Sequence, residues 1–182
     1  MRLGVPKEPE NETRVAIVPS SMKKLTKAGF EVYVQQGAGE KANYNDSQYE
    51  DAGAKIVSRE EALSCPNIIC INFPGTDGIS KNSNVACVAD PFRNSDYVKQ
   101  CLSANITLMS MDMIPRRLSR AQSMDVNSSQ DNLAGYKAVL LGASNVPKGI
   151  PMMTTSAGTI RPAKVVVMGS GVAGLQAIAT AK

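Results

Sequence analysis

An aliphatic run followed at once by glycines with the spacing G-x-G-x-x-G limits the fold of this chain more than any other segment. Residues 164–168 (KVVVM) have the composition of a strand, and residues 172–181 have that of a helix. Between them, the first glycine permits a tight turn, the second lets the backbone approach a pyrophosphate, and the third lets the helix pack on the strand. The helix N-terminus adds N–H donors and a positive dipole. The predicted pyrophosphate-binding residues are Gly169, Gly171, Val172, Ala173 and Gly174.

The glycine turn lies close to the last residue of the sequence, Lys182. An acidic residue that holds a ribose hydroxyl is expected about 20 residues after such glycines, which is beyond Lys182. We therefore expect a partial chain or the product of a split gene. The predicted division is an N-terminal α/β domain over residues 1–141, a linker over 142–163, and the first strand, turn and helix of a truncated dinucleotide-binding domain over 164–182.

Composition excludes several classes of function. The hydrophobic share of 43% and charged share of 20% are those of a globular protein, and the net charge of +4 is not gathered into a basic patch, so we expect no nucleic-acid partner. The absence of histidine excludes histidine acid–base chemistry and disfavours a zinc site, so no metal ligand is predicted. The four cysteines form no CxxC pair, which indicates buried thiols in a reducing compartment. The longest apolar runs are too short to span a membrane, and no signal peptide is evident.

The first 110 residues alternate β-rich runs with helical stretches, which predicts βαβ units and a mostly parallel sheet of Rossmann-like or flavodoxin-like type. The order of the strands in the sheet stays open. One helix is expected after Pro19, with Met22, Leu25 and Phe30 on its buried face and Gly29 ending it. The predicted N-caps of three further helices are Asp46, Ser58 and Asn94. The predicted strands lie near residues 3–5, 31–34, 55–57, 68–71, 85–88 and 106–109.

A longer helix is predicted from Asp125 or Ser128 to about Leu141. Its buried face should consist of Leu133, Tyr136, Val139 and Leu140. Residues 142–149 are predicted to form a loop, and residues 151–155 an extended linker or an edge strand. A single strand and one helix have no sheet to join, so Val165, Val167, Leu175 and Ile178 are expected to be exposed.

A polar stretch over residues 115–130 stands between the last predicted strand and the long helix. It contains three arginines, a glutamine, an aspartate and several hydroxyls, and it can offer guanidinium groups, an amide and a carboxylate to one flat polar ligand. The alternative is that Asp125 simply caps the helix and the arginines are surface charges.

This stretch, Arg117-Leu118-Ser119-Arg120-Ala121-Gln122-Ser123-Met124-Asp125 followed by Ser128-Ser129-Gln130, closely resembles the NAD(H)-binding alpha subunit of proton-translocating nicotinamide nucleotide transhydrogenases. Further matches extend along nearly the whole chain. They are Gly4 to Glu8, Asn11 to Ala16, Gln36 to Gly39, Asn132 to Tyr136, and Ala157 to Thr159 through the glycine turn.

The resemblance implies that NAD(H) binds here and that hydride passes from NADH to NADP⁺. NADP(H) would be bound by a partner domain, and membrane subunits would move protons. It also implies a homodimer at the cytoplasmic face of the membrane, or on the matrix side in an organelle. The residues implied to surround the nicotinamide and to act in catalysis are Arg117, Gln122, Asp125 and Ser128. The remaining implied cofactor contacts are Leu118, Ser119, Arg120, Ser123 and Met124.

The sequence departs from this family pattern in two informative places. The tandem Arg116-Arg117 stands where the family has one arginine, so the choice between the two stays open. Asn72 stands where related proteins have a lysine. One alternative is an alanine dehydrogenase, for which Arg14 would be the substrate arginine, although the missing lysine and histidine argue against it. For Arg14 we prefer a surface ion pair with Glu8 or Glu12. The other alternative is a non-catalytic remnant or a dimerisation module, which the coding sequence after Lys182 would distinguish.

Overall fold

The computed structural model describes all 182 residues, and they form two compact units, residues 1–115 and residues 116–182. The first unit is an α/β domain whose six strands are all parallel, in the order β3-β2-β1-β4-β5-β6. This is the doubly wound order of Rossmann folds, so the predicted fold class is confirmed and the open question of strand order is answered. The strands are β1 (Arg2–Val5), β2 (Glu31–Gln35), β3 (Lys55–Val57), β4 (Asn67–Ile69), β5 (Asn84–Cys87) and β6 (Thr107–Ser110).

Four short helices connect these strands, and local capping explains where they begin. They are α1 (Met22–Lys27), α2 (Asp46–Asp51), α3 (Arg59–Leu63) and α4 (Ser95–Ser103). Ser58 caps α3 as predicted, because its side chain accepts a hydrogen bond from the Glu61 N–H. The prediction for α2 was wrong by one residue: Asn45 is the cap and forms a reciprocal capping box with Gln48, and Asp46 is the first helical residue. Asn94 precedes α4 but makes no side-chain cap, and its amide nitrogen donates to the Ala89 carbonyl.

Two clusters of buried side chains form the core of the first unit. One surrounds β1 and β2 and includes Val5, Val34 and Tyr49, and the other surrounds β4 and β5 and includes Ile68 and Val85. The predicted face of α1 is confirmed, because Met22 is 1% exposed and Leu25 and Phe30 pack against the first cluster. All four cysteines are buried free thiols, as predicted.

The second unit contains one long helix, one short helix and a β-hairpin. They are α5 (Val126–Asn145), β7 (Met153–Thr155), β8 (Gly158–Ile160) and α6 (Val172–Ala181). The start of α5 is as predicted, because Asp125 is its N-cap and accepts a hydrogen bond from the Ser128 N–H. The predicted end was too early: the helix continues past Leu141 to Asn145, so half of the predicted loop is helical.

Two further predictions for the second unit need correction, and one open alternative is decided. Residues 164–168 form no strand, because they have no neighbouring strand with which to pair. Of the two alternatives for residues 151–155, the strand is confirmed at Met153–Thr155, although its hairpin partner β8 was not predicted. The predicted buried face of α5 is wrong: Leu133, Tyr136 and Leu140 are all at least 40% exposed, Val139 is only half-buried, and Gly135 alone of this helix is buried.

Gly135 of α5 contacts the first turn of α6. A Cβ atom added at Gly135 would collide with the backbone carbonyl oxygen of Ala173. The two helices therefore approach at backbone distance, which any side chain at this point would prevent. As expected, Val165, Leu175 and Ile178 are exposed, while Val167 is half-buried.

Candidate nucleotide-binding site

The glycine turn has the geometry that its three glycines predict. Gly169 has φ of +118°, a conformation that only glycine adopts readily, and this allows the chain to reverse before α6. A Cβ atom at Gly171 would have no neighbour within 4 Å, so the backbone there is open to a ligand. A Cβ atom at Gly174 would instead collide with the carbonyl oxygen of Gly169. The turn is thus closely packed at Gly174 and open at Gly171.

The first turn of α6 supplies N–H donors that no capping side chain occupies. Gly171 is the N-cap and has no side chain that could accept from the first N–H groups. The N–H groups of Val172, Ala173 and Gly174 therefore lack intrahelical partners, as at the start of any helix. Free donors at the positive end of a helix of ten residues suit the pyrophosphate of a dinucleotide. The predicted pyrophosphate-binding residues thus lie together in one turn, with the open backbone at Gly171.

The polar loop before α5 is held by its backbone and presents its side chains outward. Ala121 is 5% exposed and anchors the loop. Its N–H donates to the Leu118 carbonyl at 2.8 Å, and its carbonyl accepts from the Met124 N–H at 2.9 Å. Six of the predicted ligand-contacting residues of the loop are exposed: Leu118, Ser119, Arg120, Gln122, Ser123 and Met124. Sequence reasoning did not single out Ala121, whose small apolar side chain within a polar stretch was the available signal.

Asp125 contacts both a backbone N–H and a guanidinium group. Its Oδ1 accepts a hydrogen bond from the Ser128 N–H at 2.9 Å, and its Oδ2 lies 4.0 Å from Arg116 Nε, at the outer limit of an ion pair. Hydrogen bonds from the hydroxyl and the N–H of Ser128 lower the pKa of Asp125 below its usual value, and the charge of Arg116 adds to this effect. Burial acts in the opposite direction. The carboxylate is therefore charged and fixed at the start of α5.

The two adjacent arginines differ in what they contact. Arg116 also donates from Nη1 to the Ser128 Oγ at 3.5 Å, whereas Arg117 is exposed and makes no hydrogen bond or ion pair. The structure thus brings together three polar residues of the loop, Asp125, Ser128 and Arg116. It does not bring Arg117 or Gln122 into contact with them.

A second polar cluster lies at the carboxyl ends of β1 and β4 in the first unit. Arg14 forms a bidentate pair with Glu12, with Nη2 to Oε2 at 2.7 Å and Nε to Oε1 at 2.8 Å. The hydrogen bond from Arg14 lowers the pKa of Glu12 to about 2. Asn72 donates from Nδ2 to Glu8 at 3.1 Å and to Glu12 at 3.4 Å. The preferred interpretation of Arg14 as the partner of Glu12 is confirmed, and its guanidinium already has a carboxylate partner.

No group of three or more cysteine, aspartate, glutamate or histidine side chains has the arrangement of a metal site. No helix combines the length and the apolar character that crossing a bilayer requires.

Comparison with known proteins agrees with the fold. The N-terminal domain model of alanine dehydrogenase/PNT matches residues 4–134, and the C-terminal domain model matches residues 138–182. The chain therefore belongs to the alanine dehydrogenase/PNT family. Within that family, it is 45% identical over its whole length to an NAD(P) transhydrogenase alpha subunit chain of Rhodospirillum rubrum, of which it covers 50%.

A solved structure and a more distant relative place the chain within the family. The crystal structure of a transhydrogenase from Sinorhizobium meliloti matches all of the chain and 55% of its own length, with a TM-score of 0.94 and 42% identity. Alanine dehydrogenase of Halomonas elongata is 27% identical over 96% of the chain and 48% of its own length. The chain spans about half the length of these relatives. Its transhydrogenase relatives are the more similar, so the predicted family and subunit resemblance is confirmed.

Proposed function

We propose that this chain is the NAD(H)-binding part of a proton-translocating NAD(P) transhydrogenase, in which hydride passes from NADH to NADP⁺. The observation that carries the proposal is that the polar loop and the glycine turn belong to the same compact unit, residues 116–182. Two recognition elements in one unit suit the two ends of one dinucleotide. Whole-chain similarity to transhydrogenase alpha subunits supports the same assignment.

The chemical character of each element fits part of NAD(H). The unpaired N–H groups at the start of α6 and the open backbone at Gly171 suit the pyrophosphate. In the loop, the exposed amide of Gln122 can donate to and accept from a nicotinamide carboxamide. Bound NAD(H) supplies the hydride itself. The remaining proposed contacts are Arg117, Leu118, Ser119, Arg120, Ser123, Met124, Asp125, Ser128, Gly169, Val172, Ala173 and Gly174.

The catalytic task of these residues is positioning. Hydride transfer between two nicotinamides needs no proton at carbon, so a chain without histidine can support it. Holding the ring rigid in a near-attack geometry and excluding water can account for a large part of the barrier reduction. Asp125, fixed by Ser128 and Arg116, gives the loop a rigid point from which Gln122 can orient the ring.

We propose the following assembly from the similarity to transhydrogenase alpha subunits. NADP(H) is bound by a partner domain or subunit, membrane subunits carry out proton translocation, and two copies of this chain form a dimer. The protein then sits as a peripheral part at the cytoplasmic face of the membrane, or on the matrix side in an organelle. We propose that residues 1–141 form the N-terminal domain, residues 142–163 a linker, and residues 164–182 the first part of the NAD-binding domain.

Kinetics of the assembled enzyme test the proposal. Gln122→Ala and Asp125→Ala should each lower kcat for hydride transfer by about 10- to 100-fold, because a misplaced ring loses the aligned geometry, while the Kd for NADH changes far less. Gln100→Ala removes an exposed glutamine on α4 and is the matched control, with unchanged turnover. Wild-type turnover in both loop variants would contradict the site assignment. NADH formation that depends on L-alanine would favour the alanine dehydrogenase alternative.

A further inference from the structure

A contact between α5 and α6 links the two proposed ends of the coenzyme site. The polar loop leads directly into α5, whose N-cap is Asp125, and the glycine turn leads directly into α6, whose N-cap is Gly171. We propose that Gly135 of α5 is a positioning residue that sets the distance between the polar loop and the glycine turn, so that both can hold one dinucleotide at once. The inference rests on the proposed function and adds the residue that couples its two recognition elements.

Gly135 packs directly against a residue that is proposed to bind the pyrophosphate. A Cβ atom at position 135 would collide with the carbonyl group of Ala173, in the first turn of α6. Gly135 is also the buried residue of α5. The N–H group of the same Ala173 is one of the donors that lack an intrahelical partner at the start of α6. A change in this helix contact therefore moves a proposed pyrophosphate donor.

The close approach is confined to one point of α5. Gly142 lies about two turns further along the same face of the helix, and a Cβ atom there would have no neighbour within 4 Å. An apolar groove opens in that region, and its lining includes Ala138, Gly142 and Ala177. Because the two helices are in backbone contact at Gly135 and apart at Gly142, position 135 determines how α6 is placed on α5.

Helix α5 acts as a spacer between the two elements. Gly135 lies ten residues after Asp125, which is about 15 Å along the helix axis. A methyl group at position 135 would have to push the Ala173 carbonyl back to the usual contact distance of about 3.5 Å, a movement on the order of 1 Å. A misplacement of about 1 Å far from the reacting atoms can lower a rate about 100-fold. Glycine is thus the residue that keeps the separation short.

Two ligands that differ at the nicotinamide end test this role in the assembled enzyme. ADP-ribose carries the pyrophosphate but no nicotinamide, so it can contact the glycine turn without the nicotinamide contacts of the loop. In the wild type, NADH should bind more tightly than ADP-ribose. Gly135→Ala should raise the Kd for NADH about tenfold and the Kd for ADP-ribose less than about twofold, because the displaced turn carries its ligand away from every loop contact at once. The kcat for hydride transfer should fall about 10- to 100-fold.

Gly142→Ala is the matched control in the same helix and should leave both dissociation constants unchanged. If Gly135→Ala does not fold, Ala177→Val provides the same comparison with a smaller change in the Kd ratio, because Ala177 is buried and lies one turn after Ala173 on the same face of α6. Equal weakening of NADH and ADP-ribose would indicate general loss of structure and overturns the inference, while the proposed function stands. Equal affinities of the two ligands in the wild type would instead refute the nicotinamide contact of the loop, and with it the proposed function.

Discussion

The two units of this chain bury their apolar residues to very different extents. In residues 1–115, two core clusters cover the parallel sheet, and Val5, Val34 and Val85 are completely buried. In residues 116–182, only Ala121, Gly135 and Ala177 are buried. Large apolar side chains of the second unit lie on its surface instead, among them Leu133, Leu141, Val166, Met168, Leu175 and Ile178. Exposed apolar surface of this kind is available for packing against further protein.

This contrast separates features that form without a buried core from features that need one. The glycine turn, the start of α6 and the Asp125 cap have the geometry expected of them in a unit with almost no buried side chains. These features are set by backbone conformation and by hydrogen bonds between near neighbours. The strand at residues 164–168, in contrast, is absent because a strand exists only through its pairing partners.

Substituting one isoleucine from each unit should give the strongest contrast. Ile68→Ala should lower the free energy of unfolding of the first unit by about 2–5 kcal/mol, because Ile68 is 1% exposed and its removal leaves a cavity. Ile178→Ala is the matched control, at 48% exposure, and should change stability by about 0.5 kcal/mol or less. Urea unfolding measures both. Equal losses would show that Ile178 is buried in solution and that the contrast between the units is not real.

A smaller effect is expected at the contact between α5 and α6. Gly135→Ala should destabilise the second unit by about 1–3 kcal/mol, because the added methyl group meets a backbone carbonyl that cannot move aside. Gly142→Ala, in the same helix and with no neighbour within 4 Å, should instead stabilise it by up to about 1 kcal/mol through helix propensity. Amide hydrogen exchange of α5 and α6 reports both changes. Two variants with the same sign would refute close helix packing at Gly135.

The weakest of the three effects is pH-dependent and belongs to the first unit. The pKa of Glu12 falls from 4.5 to about 2 on folding, so its stabilising contribution is complete above the unfolded pKa and is lost as the pH falls from 4.5 towards 2. After allowance for the half-exposed Arg14, the contribution is on the order of 1 kcal/mol. Glu12→Gln should remove this part of the acid sensitivity. Glu50→Gln, an exposed α2 residue without an ion pair, is the control and should leave the acid profile unchanged. An unaltered profile in Glu12→Gln would mean that the pair with Arg14 is not formed.

The sequence predicted best what short-range patterns determine. All six strands of the first unit, the cap at Ser58 and the start of α5 follow from alternation, composition and side-chain caps within a few residues. The hairpin of β7 and β8 was not foreseen because its turn, Ser156-Ala157, lacks the Asn-Gly or Asp-Gly signal of tight hairpins.

Features that depend on distant packing could not be predicted in this way. The face of α5 that is buried depends on what packs against it, and α6 contacts this helix at a glycine, which carries no hydrophobic signal. The polar loop was located by its unusual composition and by family resemblance, but no spacing rule distinguishes Arg116 from Arg117. That distinction needs the positions of Asp125 and Ser128 in three dimensions.

A crystal structure of the intact protein with NADH would test the proposed binding site without any intermediate inference. We predict pyrophosphate oxygens about 2.7–3.2 Å from N–H groups at the start of α6, and the nicotinamide carboxamide hydrogen-bonded to Gln122. Arg116 should remain beside Asp125 in that complex. A coenzyme bound elsewhere, with Gln122 and the glycine turn both facing solvent, would contradict the proposed site.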